Sequence, residues 1–374
     1  MPAKKKRKLR VDFRKNRERR ARLGDLTRRA IDSLEQPAGP DAFDTHEAVS
    51  GKGDLSRRRT VIGTDDGGGV VRDVDPSKCL RGRVLTARGL HALVRGEDGN
   101  RYECTVRRVL RTMSREERNA VVAGDVILFQ PATEGQGVIE RIEPRAGTLS
   151  RTSKGREHVI VANVDQVLVV ASAGEPALKP NLIDRFLVSA AKGNARAVIC
   201  VNKSDLSDPA GLEPVAGTYG RIGYEVVFAS ATQGAGIGRL RALLKNRQTV
   251  LAGQSGVGKS SLLNAIEPAL ELSVSAVSRW TQKGRHTTRA ATLIELGSGG
   301  WVVDTPGIRQ LDLWDVLPEE VEGHFVEFRP FVTLCRFPDC THTHEAGCGV
   351  KQAVRRDLVS RMRYDSYVRM TEGE

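Results

Sequence analysis

The chain has 374 residues, of which 39% are hydrophobic and 28% charged, so it is long enough for two or three domains with a sizeable core. No stretch approaches the ~18 uninterrupted apolar residues of a membrane span. The basic start is followed by no apolar segment, which argues against a secretory signal, and its acidic residues argue against a transit peptide. We therefore expect a cytoplasmic protein.

Positive charge is concentrated at one end of the chain. The formal net charge is +13, and residues 1–30 hold 14 Lys or Arg against 3 Asp or Glu. The pattern predicts a basic, disordered N-terminal extension over residues 1–75 that can bind nucleic acid. A nuclear-localisation patch or a solubilising tail without a specific partner would have the same composition.

Five short segments of alternating hydrophobicity follow, separated by glycine-rich or polar turns. Short strands at this spacing predict a small closed barrel over residues 76–147, for which an OB-fold is the commonest candidate. Nucleic-acid binding and a plain structural barrel are both compatible with the pattern. The predicted strands are Gly82–Leu85, His91–Val94, Tyr102–Val106, Asp125–Phe129 and Gly137–Ile142.

From residue 148 the pattern changes to apolar strands that alternate with helices. Apolar runs without alternation are typical of strands buried on both faces, so residues 148–313 are predicted to form a doubly wound, mostly parallel sheet. The predicted strands are Val159–Ala162, Gln166–Val170, Ala197–Val201, Glu225–Phe228, Thr249–Ala252 and Gly300–Val303.

The segment Gly253–Ser260 reads GQSGVGKS and matches the phosphate-binding P-loop. It follows the strand Thr249–Ala252 and opens a helix, which is the context that the motif requires. The glycines let backbone N–H groups wrap the phosphates at a helix N-terminus. Lys259 is expected to bridge the β- and γ-phosphates, and Ser260 to ligate Mg²⁺.

Asn202–Asp205 reads NKSD and follows another apolar strand, which favours GTP over ATP. This tetrapeptide is similar to the N-K-x-D element of GTPases. A carboxylate at Asp205 can accept hydrogen bonds from guanine N1–H and the 2-amino group, both of which adenine lacks. Lys203 would cover the base and Asn202 would brace the loop. A site built in this way can discriminate by ~10⁴-fold or more.

Three further elements complete a GTPase set. Ser230–Ala231 resembles the S-A-x loop that meets guanine O6, and Asp304–Gly307 (DTPG) resembles D-x-x-G, which serves Mg²⁺ and the γ-phosphate. Between the P-loop and D-x-x-G lies Gly284–Thr288 (GRHTT), a candidate switch. Its Mg²⁺-closing threonine is either Thr287 or Thr288, and we favour Thr288.

The order of these elements is permuted, since N-K-x-D and S-A-x precede the P-loop. New termini are tolerated where the old ones lay close together. The residue after D-x-x-G is Ile308, which cannot orient the attacking water as glutamine does in many GTPases. His286 in the switch is the nearest polar candidate for that role, although it could also only order its loop.

The six cysteines fall into two groups. Cys79, Cys104 and Cys200 are scattered among strands, as expected of small buried hydrophobes. The other three form the pattern Cys335–x₄–Cys340–x–His342–x₅–Cys348, which supplies three thiolates and one imidazole. That donor set predicts a closed, structural Zn²⁺ site in a helical domain over residues 314–374. His344 is a rival ligand to His342.

Taken together, these motifs resemble one family, the circularly permuted small-subunit ribosome-biogenesis GTPases called RsgA or YjeQ. The resemblance covers residues 79–365 and includes the motifs at 162–166, 182–185, 253–260, 284–288, 304–307 and 339–342. It implies a barrel, a permuted GTPase domain and a zinc module. It also implies a role in late 30S maturation, with contacts to 16S rRNA and GTP hydrolysis stimulated by that subunit. In the family the first histidine of the Cys-x-His pair ligates zinc, which favours His342.

The sequence thus predicts specific catalytic, metal-binding and nucleotide-binding residues. Catalytic roles are expected for His286, Lys259 and Thr288, zinc ligation for Cys335, Cys340, His342 and Cys348, and Mg²⁺ ligation for Ser260 and Thr288. The residues expected to bind GTP or GDP are Asn202, Lys203, Asp205, Ser230, Ala231, Gly253, Gln254, Ser255, Gly256, Val257, Gly258, Lys259, Ser260, Ser261, Asp304 and Gly307. We expect a monomeric, ribosome-activated GTPase. The alternative is a nucleic-acid-binding module that holds GTP only as a structural ligand.

Overall fold

The computed structural model describes residues 6–12, 58–65, 70–72, 74–107, 110, 120–132, 135–153, 156–270, 291–304 and 316–373. The chain divides into two units, Met1–Asp73 and Val74–Glu374. Among the described residues, no helix is both long and apolar enough to cross a membrane.

The first unit contains a small antiparallel sheet of three strands, β1 (Lys6–Asp12), β2 (Arg58–Asp65) and β3 (Val70–Arg72). β2 is the central strand, and Lys6 pairs with Thr64 while Asp12 pairs with Arg58. These strands lie within the predicted basic extension. Most of the extension is outside the described residues, so its predicted disorder stays a prediction.

The second unit begins with a closed five-stranded barrel. Its strands are β4 (Leu80–Arg88), β5 (His91–Gly96), β6 (Arg101–Val106), β7 (Val126–Pro131) and β8 (Gln136–Ile142). They hydrogen-bond in the order β4-β5-β6-β8-β7, and β7 pairs with β4 to close the barrel. Alternate residues point inward, and the side chains of Val84, Val94, Ile127, Phe129 and Ile139 are fully buried in the core of the barrel.

The prediction for the next strand was wrong in its pairing. β9 (Thr148–Ser153) and β10 (Arg156–Ala162) form a separate antiparallel hairpin, whereas we expected Val159–Ala162 to join the parallel sheet. The apolar run is buried because Val161 forms a β-bridge with Ala123 next to the barrel and packs in the core on one face of the sheet. Burial of a strand alone therefore did not identify its partner.

A doubly wound sheet follows. Its strands are β11 (Gln166–Ser172), β12 (Arg196–Asn202), β13 (Glu225–Phe228), β14 (Gln248–Ala252), β15 (Thr292–Glu295) and β16 (Trp301–Asp304). The order is β13-β12-β11-β14-β16-β15, with parallel neighbours throughout except that β15 runs antiparallel to β16. β15 also pairs with β4 at Thr292 and Thr86, which joins this sheet to the barrel.

Helices cover both faces of the sheet because successive residues of its strands point to opposite sides. Val167 and Val169 of β11 pack with α1 (Pro180–Lys192) and α2 (Pro209–Arg221), which contribute Phe186 and Tyr219. Leu168 and Val170 pack on the other face with α3 (Ile237–Leu244) and α4 (Lys259–Ile266).

The chain ends in a helical module, which we call the metal module (residues 316–373). Its helices are α5 (Pro318–His324), α6 (Arg329–Val332), α7 (Gly349–Arg355) and α8 (Arg361–Thr371). Phe325, Phe328 and Tyr367 form its aromatic core, with ring centroids 5.0–5.4 Å apart. Val188 of α1 is buried in the same cluster, so this core is continuous with the sheet domain.

Candidate functional site

The P-loop sits between β14 and α4 in a conformation that only its glycines permit. Gly253, Gly256 and Gly258 have φ values of 143°, 85° and 92°. A Cβ at Gly253 would lie 2.1 Å from the Val170 carbonyl oxygen, and one at Gly258 would lie 2.4 Å from Asn202 Nδ2. Substitution at either glycine would therefore combine backbone strain with a steric clash.

Lys259 closes over its own loop. Its Nζ donates to the carbonyl oxygens of Gly253 (2.7 Å) and Gln254 (2.8 Å), so the ammonium lies against the loop rather than pointing into solvent. Ser260 is buried in the first turn of α4. The helix N-terminus adds positive potential at the same place.

The N-K-x-D segment lies beside the P-loop and is tied to it by two side chains. Asn202 is buried, and its Nδ2 donates to the Val257 carbonyl (2.8 Å) while its Oδ1 accepts from the Ala231 N–H (3.3 Å). Lys203 has a left-handed backbone (φ 60°), and its Nζ donates to the Gly256 carbonyl (2.9 Å). Asn202 thus holds together the three loops that carry the predicted base and phosphate contacts.

Asp205 lies in a single 3-10 turn, Ser204–Leu206, and is exposed, so its carboxylate is accessible to a ligand. Ser230 is buried, and its Oγ accepts from the Gln233 N–H (3.1 Å), which folds the S-A-x loop back on itself. The strand ends of β11, β12, β13 and β14 meet at this edge, where parallel α/β sheets bind their ligands.

Sequence reasoning missed the loop after β11. Lys203 Nζ also donates to the Glu175 carbonyl (2.5 Å), and Ser172 Oγ accepts from the Gly174 N–H (3.2 Å). Pro176 Cδ would contact a Cβ at Gly256 at 3.6 Å. The available signal was position, because β11 ends at the same sheet edge as β12 and β14.

The switch elements lie outside the described residues. This applies to Gly284–Thr288, including His286, Thr287 and Thr288, and to Gly307 and Ile308. Asp304 ends β16, which runs parallel to β14, so its backbone reaches the edge that carries the P-loop. The structure therefore assembles the base and phosphate loops, and the expected switch contacts stay predictions.

The four predicted metal ligands meet at one point in the metal module. The ligand atoms of Cys335, Cys340, His342 and Cys348 all lie within 4.8 Å of one another. His342 Nδ1 is 3.5 Å from Cys335 Sγ and 3.4 Å from Cys348 Sγ. His344, the rival ligand, is outside this group, and its side chain is 82% exposed.

The surroundings of these four residues fit a soft divalent metal. Backbone N–H groups of Gly349 and Lys351 donate to Cys335 Sγ (3.3 Å) and Cys348 Sγ (3.4 Å), which favours thiolates. Burial raises the pKa of the Cys340 thiol to about 12, so ionisation of this thiol would be favoured by a nearby cation. Three sulfurs and one imidazole are the donors of a closed structural zinc site. Burial likewise raises the pKa of Cys104 and Cys200 to about 12, but neither belongs to a metal-ligating group among the described residues.

Buried charges join the metal module to α1. Arg363 of α8 donates from Nη1 to Asp184 Oδ1 (2.8 Å) and from Nε to Glu327 Oε1 (2.7 Å), and its side chain is 1% exposed. Tyr219 also donates to Asp184 Oδ1 (2.7 Å). Burial alone lowers the pKa of Arg363, but the two carboxylates outweigh it and raise that pKa above its usual value.

These elements define a class of protein: a P-loop GTPase of permuted motif order, with a barrel before the GTPase domain and a Cys₃His module after it. Known structures share this architecture. YjeQ from Thermotoga maritima is 37% identical, with a TM-score of 0.66 and coverage of 79% of this chain and 98% of that one. YloQ, described as a circularly permuted GTPase, is 30% identical, with a TM-score of 0.63 and coverage of 81% and 97%.

Sequence comparisons identify the family. The RsgA GTPase family model matches residues 142–314. The small ribosomal subunit biogenesis GTPase RsgA 1 of Vibrio vulnificus (strain YJ016) is 37% identical over 303 residues, covering 78% of this chain and 83% of that protein. RsgA of Chromohalobacter salexigens is 38% identical over 306 residues, with coverage of 80% and 87%. The chain belongs to the RsgA GTPase family and is a GTP-hydrolysing enzyme, as the resemblance implied.

Proposed function

We propose that this chain hydrolyses GTP during late maturation of the small (30S) ribosomal subunit, which it binds through 16S rRNA and which stimulates its hydrolysis. The observation that carries the proposal is the position of Asn202. Its amide bonds the P-loop at Val257 and the S-A-x loop at Ala231, so the base and phosphate elements form one nucleotide site. The names of the relatives support the ribosomal role.

In this proposal the base is read by Asp205, with Lys203 covering it and Asn202 bracing the loop. The hydrogen bond from Lys203 Nζ to the Gly256 carbonyl supports this role, because it keeps the side chain at the P-loop. The phosphates are held by the backbone N–H groups of Gly253–Ser261, and Lys259 leaves its loop carbonyls to contact them. Ser260 and Thr288 would hold Mg²⁺. Asp304 would serve the same ion, and the Gly307 N–H would serve the γ-phosphate. When bound, Mg²⁺ neutralises charge on the transferred phosphate group.

We further propose that Cys335, Cys340, His342 and Cys348 bind Zn²⁺. The ion would stabilise the fold of the metal module and take no part in hydrolysis. The domain limits proposed are residues 1–75, 76–147, 148–313 and 314–374. A cytoplasmic monomer fits this role. The basic extension, with its 14 Lys or Arg in residues 1–30, would add salt-dependent rRNA contacts.

Turnover measured with purified ribosomal particles tests the proposal. We expect GTP hydrolysis by the full chain to rise on addition of 30S particles, and to rise less with 50S or 70S particles. A GTP-binding chain whose turnover is unaffected by 30S particles would support the alternative, in which nucleotide is only a structural ligand of a nucleic-acid-binding module.

The same assay tests the catalytic role proposed for His286. A neutral imidazole can accept a hydrogen bond from water and align it with the γ-phosphate. We expect His286→Ala to keep GTP affinity and 30S binding but to lose ~10²-fold or more of the stimulated rate. A variant that binds 30S and retains the stimulated wild-type rate would exclude His286, and a ribosomal group would then be the leading candidate.

A further inference from the structure

His342 is held from several sides in the metal module. Its backbone is left-handed (φ 60°), and its carbonyl oxygen accepts from the Tyr364 hydroxyl (2.8 Å). The ring meets Phe328 edge-on, with centroids 6.1 Å apart. Nδ1 faces the sulfurs of Cys335 and Cys348, so Nε2 points away from the cluster.

Nε2 is a buried polar atom that makes no hydrogen bond to any residue the structure describes. The carboxylate of Glu322 is the charged group beside it, with Oε2 at 3.4 Å. This N–O distance is slightly longer than that of an N–H···O hydrogen bond, so a small shift of the Glu322 side chain would form one. The Glu322 side chain is 42% exposed and reaches a ring that is 2% exposed.

The position of Glu322 is fixed from the GTPase side of the molecule. Its helix, α5, begins with Glu320 Oε2 accepting from the Leu317 N–H (3.0 Å), and Lys192 Nζ of α1 donates to the same oxygen (2.5 Å). Val321, between the two glutamates, is buried in the module core. These contacts hold α5 where Glu322 reaches His342.

We propose that Glu322 is a positioning residue for the metal ligand His342. Its carboxylate accepts a hydrogen bond from Nε2–H and so selects the tautomer whose Nδ1 lone pair faces the three thiolates. Metal-bound histidines commonly donate their second ring N–H to a carboxylate, which orients the ring and raises its basicity. The proposal rests on the metal site described under the proposed function. It makes metal affinity depend on how α5 is docked against α1.

Chelator competition for Zn²⁺ by the full chain tests this. We expect Glu322→Ala to bind Zn²⁺ ~10–100-fold more weakly than wild type, since loss of such a partner has this effect. Glu322→Gln keeps an acceptor oxygen without the charge, so its Zn²⁺ affinity should lie between those of wild type and Glu322→Ala. Glu319→Ala is the matched control, because Glu319 is an exposed residue on the same helix.

Two further measurements separate positioning from a structural role. In the Co²⁺-loaded chain, the visible absorption bands should shift in Glu322→Ala and return toward wild type in Glu322→Gln. At saturating Zn²⁺, amide protection of α5 and α8 should match wild type in both variants. Equal Zn²⁺ affinities for wild type and Glu322→Ala, or loss of α5 protection at saturating Zn²⁺, would overturn the proposal. A wild-type chain that binds no Zn²⁺ would instead overturn the metal centre itself.

Discussion

The nucleotide edge and the metal module are held together by different kinds of contact. At the nucleotide edge, the polar groups of the site bond one another: Lys259 to its own loop carbonyls, Lys203 to Gly256, and Asn202 to Val257 and Ala231. In the metal module, three cysteine sulfurs and an imidazole lie against one another, and the backbone N–H groups of Gly349 and Lys351 donate to two of the sulfurs. Hydrogen bonds to neutral backbone groups hold the first site, whereas the second brings together groups that repel one another as thiolates.

The difference follows from which groups build each site. Backbone carbonyls and amides are neutral and can bond to side chains of the same site, so the P-loop is held by hydrogen bonds within the protein. Thiolates repel one another when buried, so their alignment becomes favourable only with a metal. Nucleotide should therefore act mainly on the switches of a folded domain, and metal on the folding of its module.

Metal removal should have the largest effect. Metal binding to zinc-finger peptides contributes ~10–16 kcal/mol at neutral pH, and it appears there as folding free energy. We expect Cys340→Ser, or chelation of the wild type, to expose the amides of α5–α8 to hydrogen exchange while β11, β12 and β14 stay protected. We also expect about one Zn²⁺ per wild-type chain by metal analysis.

Cys200→Ala is the control for that experiment, since Cys200 is also buried but lies in β12. It should keep full metal content. If the module is equally protected with and without metal, or purified wild type carries well under one equivalent, the contrast between the two sites is wrong.

Asp205→Asn should change ligand choice without changing the fold. The amide presents a donor where guanine also presents donors, so we expect GTP affinity to fall by up to ~10⁴-fold and binding of xanthosine triphosphate to improve. Asp205 is exposed in its turn, so the unfolding midpoint of the nucleotide-free chain should barely move. Nucleotide titrations and thermal unfolding measure the two effects.

Asp208→Asn is a matched control three residues along the chain. Its carboxylate caps α2 by accepting from the Ala210 N–H (3.1 Å), and asparagine also caps well. It should keep the wild-type preference for GTP. Full GTP preference in Asp205→Asn would mean that another group reads the base.

How much could be predicted from sequence differed between the same two regions. The P-loop, N-K-x-D and cysteine spacing are local patterns, so the sequence pointed to Lys259, Asn202 and three metal-binding cysteines, whereas the choice of His342 over His344 came from the family resemblance. Glu175 and Glu322 contact those residues from distant segments through a carbonyl oxygen and one carboxylate. Neither has a local pattern, since their roles arise only from how β11 and α5 pack.

The fold shows the same limit. Alternating and continuous apolar runs identified the barrel and the doubly wound sheet, but the pairing of β10 with β9 was missed. β15, only four residues long and antiparallel to β16, was also missed. Pairing depends on which strand lies alongside in space, and two short apolar runs do not specify it.

A separate expected effect concerns how the metal module attaches to the GTPase domain. Arg363 is buried between Asp184 and Glu327, with its guanidinium carbon 4.2 Å from the centroid of the Phe325 ring. Removing one partner of a buried ion pair leaves the other charge uncompensated and costs ~3–5 kcal/mol. We expect Arg363→Met to lower the free energy of unfolding by about that amount in urea titrations.

The matched control is Arg361→Met, which changes an exposed arginine two residues earlier on α8 and should alter the free energy of unfolding by less than ~0.5 kcal/mol. Asp184→Asn combined with Arg363→Met should lower the free energy of unfolding by less than the sum of the two single changes, because the buried carboxylate is then removed together with its partner. Additive losses would show that the two charges stabilise their helices separately. Attachment of the module would then depend on its apolar contacts through Val188 and on the Lys192–Glu320 ion pair.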